Sequence, residues 1–243
     1  MYETKSVAVI VPALNERDNI RALLRAVPGY VDRIIICDNG SDDGTFEILL
    51  EEADAEGRLT VVREERRGYG AACLRAMEAL IDEDITVFLD ADLSDDPEEM
   101  YRLIEPISRN TKDFVVSNRF TGRLEEGAMS RPQRWGNKLA VFLIRLFWGF
   151  GYRDLGPLRS IRTDSLLSLG MQDRNYGWTV EMQIRALEAG LRIGQADVPY
   201  RNRREGKSKV SRTLRGVFCA GSKILITIAG LSLFTTHRGK GPR

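Results

Sequence analysis

Short apolar runs and helical segments take turns through the first half of the chain, and that alternation limits the fold more than any other feature. Val7 to Val11 reads as a strand and Glu16 to Val27 as a helix. Arg33 to Cys37, Leu59 to Val62, Thr86 to Leu89 and Phe114 to Ser117 read as further strands, with helices expected at Gly44 to Ala55, Gly70 to Ile81 and Pro97 to Ser108. Pro97 suits the first turn of its helix. The run Ile85 to Leu89 reads as a buried strand. Such an order implies an α/β protein with a doubly wound, mostly parallel sheet and right-handed crossovers. At 243 residues the chain is long enough for one large domain or two small ones.

In an open α/β sheet, ligands bind beyond the carboxyl ends of the strands. The fourth apolar run, Ile85 to Leu89, ends there in Asp90-Ala91-Asp92. Two carboxylates one residue apart repel each other unless a positive charge stands between them. A hard divalent cation, Mg²⁺ or Mn²⁺, meets that need and commonly arrives with phosphate attached. The competing role for Asp92 is structural, as a turn residue that caps the helix near Pro97. Acids or turn residues also follow the other strands: Pro12-Ala13-Leu14-Asn15-Glu16 after the first, Asp38-Asn39-Gly40-Ser41-Asp42-Asp43-Gly44-Thr45 after the second, and Arg66-Arg67-Gly68-Tyr69-Gly70 after the third. All four loops are expected to open on one edge of the sheet. Ser41, Asp42 and Gly44 also suit a turn and helix cap.

The second half has a different character. Gly122 to Arg134 has no apolar period and reads as a mobile loop. Trp135 to Phe150 is apolar except for Lys138 and Arg145, which are seven residues apart and share a helical face. That helix is either core or interfacial, where Trp, Phe and basic residues are favoured. Thr179 to Ala189 reads as a helix and Arg192 to Pro199 as a strand. Gly216 to Phe234 is apolar but diluted by Lys223, and Val217, Phe218, Gly221, Ile224, Leu225, Ile228 and Leu231 share a face. It reads as an amphipathic helix on a membrane surface or capping the core. The expected organisation is one domain over residues 1–215 and an apolar helix with a basic tail over 216–243.

Charge and composition remove several function classes. A net charge of +1 argues against nucleic acid as a partner. From Arg201 to Arg215 there are seven basic residues opposed only by Glu205, a patch for something anionic. The three cysteines, Cys37, Cys73 and Cys219, are widely spaced, which argues against a disulfide framework or zinc site and fits a reducing, cytoplasmic setting. The one histidine, His237, lies in the tail and leaves histidine chemistry out. Met1 to Ser6 is polar and leads straight into a strand, so no signal peptide is expected.

The segments V-I-V-P-A-L-N-E, C-D-N-G-S-D-D-G-T, R-G-Y-G-A-A, L-D-A-D-L and S-N-R, in that order, resemble the family 2 glycosyltransferases of the GT-A fold. D-L-G-P-L-R-S-I-R and V-P-Y-R-N-R-R-E-G-K-S-K-V-S look like the branch that makes polyprenyl-phosphate hexoses, the dolichyl-phosphate mannosyltransferase-like enzymes. The likeness covers residues 6 to 215. It implies that Pro12, Leu14, Glu16 and Asp38 line a base and ribose pocket and that Gly68, Tyr69, Gly70 and Ala71 pass near the nucleotide. It further implies that Asp90, with Ala91 beside it, faces the ribose or donor sugar and that Asp92 binds the metal. Arg119 and Arg203 would bear on phosphates, with Ser208 and Lys209 closing over the donor. The sequence departs from the pattern at Asn39, where a second Asp is usual, and at Ser94, where the mannosyl branch often has Gln.

The resemblance implies metal-dependent, inverting hexosyl transfer from a UDP- or GDP-hexose to a polyprenyl phosphate on the cytoplasmic face of a membrane. Transfer to a sugar or lipid hydroxyl is the alternative. A dehydrogenase is disfavoured because Gly68-Tyr69-Gly70 follows the third strand and lacks a third glycine. A nucleotidyltransferase would carry a glycine-rich basic loop after the first strand, and a non-catalytic membrane adaptor gives no reason for the strand-end acids. Asp154 is expected near the acceptor. A hydroxyl acceptor would require it as a base. A phosphate acceptor, ionised near neutrality, would leave it to position the acceptor or a basic partner.

Overall fold

The computed structural model describes residues 1–55, 57–121, 124–203 and 221–232. β1 (Val7–Ala13), β2 (Arg33–Asp38), β3 (Leu59–Arg63), β4 (Ile85–Phe88), β5 (Phe114–Asn118), β6 (Arg159–Arg162) and β7 (Ile193–Asp197) form one sheet in the order β3-β2-β1-β4-β6-β5-β7. Every pairing is parallel except those of β6, which runs antiparallel to both β4 and β5. The helices are α1 (Arg17–Ala26), α2 (Thr45–Ala55), α3 (Tyr69–Met77), α4 (Tyr101–Ser108), α5 (Arg131–Trp148), α6 (Thr163–Ser168) and α7 (Trp178–Glu188).

The two faces of the sheet build two apolar layers. Alternate β1 residues go to opposite sides: Val7, Val9 and Val11 join Leu23, Ile36 and Leu103, whereas Ala8 and Ile10 join Ile35, Phe88 and Trp178. Both sets are fully buried, so the strands carry no polar alternation.

β6 is the element the sequence conceals. Its residues, Arg159-Ser160-Ile161-Arg162, read as polar, yet Arg159 is buried. The Arg159 guanidinium donates to the carbonyls of Leu155, Gly156, Pro157 and Thr179. It thereby gathers the loop before its own strand around itself, and the hydrogen bonds offset its desolvation.

Three elements differ most clearly from expectation. The helix placed at Trp135 to Phe150 begins four residues earlier, inside the segment read as a loop, because Ser130 and Gln133 form a capping box ahead of it. α3 ends at Met77, short of the expected Ile81. Pro97 opens a 3-10 turn, Pro97–Met100, whose cap is Asp96, accepting from Glu98 N–H at 3.2 Å. Asp92 is therefore not the cap.

α5 has two apolar faces. Ala140 and Ile144 are buried in the core, while Trp135, Leu139, Phe142 and Leu146 on the opposite side are 73%, 45%, 60% and 63% exposed. Residues 221–232 are helical. Ile228 is buried in the α5–α7 layer and Ile224 and Leu231 pack against it. Of the two readings, membrane surface or core cap, these positions take the second. Val217 and Phe218, and the boundary drawn at 215/216, lie outside the described residues. No described helix is long and apolar enough to cross a membrane.

Candidate active site

Of the four loops expected at one edge of the sheet, those after β1, β3 and β4 supply most of the wall of a cavity of about 510 Å³, and the loop after β2 supplies Asn39. From the β1 side come Pro12, Ala13, Leu14, Asn15 and Glu16; from the start of α3, Arg67, Gly68, Tyr69 and Ala72; from the end of β4, Asp90, Ala91 and Asp92; and from the C-terminal half, Arg203.

The loop after β2 acts chiefly as the scaffold for the loop after β1. Ser41 Oγ accepts from Asn15 N–H at 2.9 Å and Thr45 Oγ1 from Glu16 N–H at 2.9 Å. Asn15 and Asp42 exchange hydrogen bonds, Asn15 Nδ2 to Asp42 Oδ1 at 2.7 Å and Asp42 N to Asn15 Oδ1 at 2.9 Å. These contacts hold Asn15 at a positive φ of 52° and fix the direction of Leu14 and Glu16.

The cavity corrects one expectation here. Asp38 does not line it: its carboxylate is fully buried, accepts from Ser41 N–H and lies 3.6 Å from Arg63 Nε. Its neighbour Asn39 takes that wall. Asn39 Nδ2 donates to the carbonyls of Glu64 and Arg66 at 3.0 and 2.9 Å, and its Oδ1 accepts from Gly68 N–H at 2.7 Å. A carboxylate at 39 could not donate to those carbonyls, so the Asn is the residue that shapes this version of the loop.

The glycines of R-G-Y-G are explained by a segment to which the sequence drew no attention. A Cβ on Gly68 would lie 2.1 Å from the Arg174 carbonyl oxygen, and one on Gly70 2.0 Å from that of Asp173. Ala71 N–H donates to the Arg174 carbonyl at 2.9 Å, so the loop 172–177 is bolted onto the start of α3. Buried Glu181 accepts from the N–H groups of Gln172 and Asp173, and Lys223 pairs with Asp173 at 2.8 Å. The same loop presents Asn175 and Tyr176 to the cavity. Neither residue carries a local motif, and only long-range packing brings them there.

The acids at the end of β4 are electrostatically strained. Asp90 accepts from the Tyr69 hydroxyl at 3.1 Å. Burial and then the neighbouring Asp92 push its carboxyl up to about 6, against the opposing pull of Tyr69, Arg203 and Arg159. Asp92 is buried; its Oδ1 accepts from Ser94 N–H at 2.9 Å and its Oδ2 lies 2.8 Å from Arg203 Nη2. Glu16 Oε1 lies 3.9 Å from Arg203 Nη1. Among the described residues no cluster of three or more acids, histidines or cysteines converges to hold a metal ion. The donor set fits a hard cation that takes one or two carboxylate oxygens from protein and the rest from phosphate and water.

Arg119 and Asp154 stand apart from the cavity lining, in contrast to the expectation that Arg119 bears on phosphates. Asp154 is fully buried. Its Oδ2 accepts from Arg119 N and Nε at 3.0 and 2.7 Å, and its Oδ1 from Arg119 Nη2 at 2.8 Å. The Tyr200 ring covers the guanidinium, 4.9 Å from its centroid. Arg119 is thus committed, and Asp154 with it. Ser208 and Lys209 lie outside the described residues.

The model of the family "Glycosyl transferase family 2" matches residues 8–168. An uncharacterized glycosyltransferase of Mycobacterium tuberculosis is 33% identical over 225 residues, covering 88% of this chain and 94% of its own length. The chain belongs to glycosyl transferase family 2. The undecaprenyl-phosphate mannosyltransferase of Micrococcus luteus is similar to this glycosyltransferase at 27% identity over 222 residues, covering 86% of the chain and 89% of the relative. Among solved structures, glucosyl-3-phosphoglycerate synthase from Mycobacterium tuberculosis, in complex with Mn²⁺, UDP and glucosyl-3-phosphoglycerate, superposes with a TM-score of 0.73 at 24% identity, over 93% of this chain and 80% of that one. The fold of this glycosyltransferase is accordingly the GT-A, Rossmann-like one.

Proposed function

We propose that this glycosyltransferase moves a hexose from a nucleotide-diphosphate sugar to a polyprenyl phosphate at a membrane surface, with inversion and with Mg²⁺ or Mn²⁺ bound through Asp92. The observation that carries the acceptor class is the closed pair Arg119–Asp154. A hydroxyl acceptor needs a base to take its proton, and the carboxylate expected to serve is buried and spent on a guanidinium. A phosphate monoester, with its second pKa near 6, reaches the site already ionised.

One of its oxygens forms the new bond at the anomeric carbon from the face opposite the departing group. The carbon–oxygen bond to the diphosphate breaks, and the nucleoside diphosphate leaves with the electron pair. The metal, when bound, supplies Lewis-acid stabilisation of that leaving diphosphate. Arg203 adds a fixed positive charge to it. The cavity walls at Pro12, Leu14, Asn39, Arg67 and Gly68 offer the nucleoside its contacts, and Asp90 faces the ribose or sugar.

Two features favour a lipid-borne phosphate. Relatives such as the Micrococcus luteus enzyme are named for polyprenyl-phosphate substrates. α5 exposes Trp135, Leu139, Phe142 and Leu146 to solvent and carries Arg131, Arg134, Lys138 and Arg145 with no acidic residue. Apolar side chains next to an all-cationic stripe suit an anionic bilayer surface.

The test crosses UDP- and GDP-hexoses with a polyprenyl phosphate and with 3-phosphoglycerate, in Mn²⁺, for wild type and Asp92→Asn. A lipid-phosphate hexose, lost in the variant, is the expected product. Transfer to 3-phosphoglycerate alone overturns the acceptor, and turnover indifferent to Asp92→Asn overturns the metal assignment. Flotation with anionic liposomes at low salt checks α5: Phe142→Asp should abolish it.

A further inference from the structure

Arg203 already occupies the Asp92 oxygen that lies free of Ser94 N–H. Asp92 has one carboxylate oxygen engaged by Ser94 N–H, and the other lies 2.8 Å from Arg203 Nη2. Mg²⁺ sits roughly 2.0–2.1 Å from its oxygen ligands. A guanidinium hydrogen-bonded to that oxygen would be left pressed against the cation, like charge to like, in a partly buried site. Resting on the metal-dependent reading above, we propose that Arg203 holds the cation's place on Asp92 and hands the carboxylate over only when a diphosphate arrives to receive the guanidinium.

The surroundings of Arg203 suit such an exchange. The strap leading to it is pinned: Arg201 N–H donates to the Ser94 carbonyl at 2.9 Å, Asn202 N–H to Glu125 Oε2 at 2.8 Å, and Tyr200 bridges to both Asp95 and Leu124. The Arg203 side chain beyond it is one-third exposed, against 5% for Asp92. The guanidinium can therefore turn while the backbone and the carboxylate stay in place. Its second neighbour, Glu16, is a loose one at 3.9 Å. A diphosphate offers a charged, two-pronged acceptor, which a guanidinium prefers to a single shared oxygen.

Two consequences follow, and the second distinguishes this arrangement from an arginine that only binds phosphate. Metal and nucleotide must strengthen each other's binding by the same factor, since linkage is reciprocal. Removing the guanidinium must have opposite effects on the two ligands. Metal alone gains, because its oxygen is freed, while the metal–nucleotide complex loses a phosphate contact.

The experiment counts free Mn²⁺ by electron paramagnetic resonance during titration of wild type, Arg203→Gln and Arg203→Lys, each with and without UDP. Arg203→Gln should bind Mn²⁺ alone about tenfold more tightly than wild type, the equivalent of ~1.4 kcal/mol, and bind it less tightly than wild type when UDP is present. Arg203→Lys keeps the charge and should stay close to wild type for Mn²⁺ alone. Mn²⁺–UDP binding by wild type and variant with no gain for Mn²⁺ alone in Arg203→Gln overturns the exchange and leaves the metal-dependent reading standing. Absence of Mn²⁺ binding in every protein even with UDP overturns both. Wild type alone supplies a further check, because equal Mn²⁺ affinity with and without UDP also overturns the exchange.

Discussion

Replacing Asp154 by Asn separates a structural carboxylate from a catalytic one. Asp154 is fully buried and its partner Arg119 is 12% exposed. The carboxylate accepts three hydrogen bonds from that one arginine, one from its backbone N–H and two from the guanidinium. An Asn keeps one acceptor oxygen but turns an N–H₂ toward the guanidinium, donor against donor, and leaves a buried cation without its counter-charge. Breaking a buried pair in this way costs ~3–5 kcal/mol, a large share of the ~5–15 kcal/mol that holds a domain folded. With a denaturant slope of roughly 3 kcal/mol per molar urea, the unfolding midpoint should fall by ~1–1.7 M. Removing both partners together, as in Arg119→Met with Asp154→Leu, should restore much of the loss, because the desolvation penalty disappears with the charges. The assay is urea unfolding followed by tryptophan fluorescence, read beside the pH–rate profile with a polyprenyl phosphate. Folded Asp154→Asn should retain a profile that follows the acceptor phosphate's own ionisation. An unchanged midpoint together with a ~10³-fold loss of turnover, the size of a lost general base, would make Asp154 the base and return hydroxyl acceptors to consideration.

Other outcomes follow from the same structure. Gly70→Ala should weaken UDP–Mn²⁺ binding in calorimetry, because the new Cβ must displace the Asp173 carbonyl, 2.0 Å away, and with it the Asn175–Tyr176 wall; unchanged affinity would show that the wall does not touch the nucleotide. Gly156→Ala should lower the melting temperature, since its Cβ would fall 2.2 Å from the Ser117 carbonyl oxygen in the tightly packed loop that Arg159 gathers. In a Cys219→Ser background, Cys37 and Cys73 should stay unreactive to a thiol reagent at pH 8 until the protein unfolds: burial pushes the Cys37 thiol up to about 12 and Cys73 well above its ordinary value. Asp113 is held below its ordinary 3.8, first by its hydrogen bond to the Arg192 guanidinium. The fold therefore favours its ionised form, and this contribution is present above the unfolded value and lost as pH falls through the lower, folded one. The stability gap between wild type and Asp113→Asn should be constant from pH 6 to 8 and close below about pH 4; a gap unchanged down to pH 2 would contradict the pairing.

Features that depend on neighbours along the chain are readable from the residues alone. Val7 to Val11 and Arg33 to Cys37 carry their strand character in their own side chains, and the spacing of turn residues after them marks where helices begin. Once the strands are parallel, their carboxyl ends must share an edge, so Pro12–Glu16, Gly68–Tyr69 and Asp90–Asp92 were legible as one site. Features that rest on a partner far away in sequence emerge only once the chain is folded. β6 is polar to local inspection and becomes a central strand because Arg159 finds four carbonyls. Arg119 and Asp154 each look like ligand-binding residues until the fold makes them each other's partner across 35 positions. The glycines of R-G-Y-G are expected from the resemblance to pass near the nucleotide, and only the fold shows that they are also needed where Asp173 and Arg174 press against α3. The apolar stripe of α5 around Trp135, Leu139, Phe142 and Leu146 and that of residues 221–232 look alike as sequences. One remains exposed and the other joins the core, because burial of an apolar stripe is settled by which surface lies opposite it and periodicity alone does not contain that information.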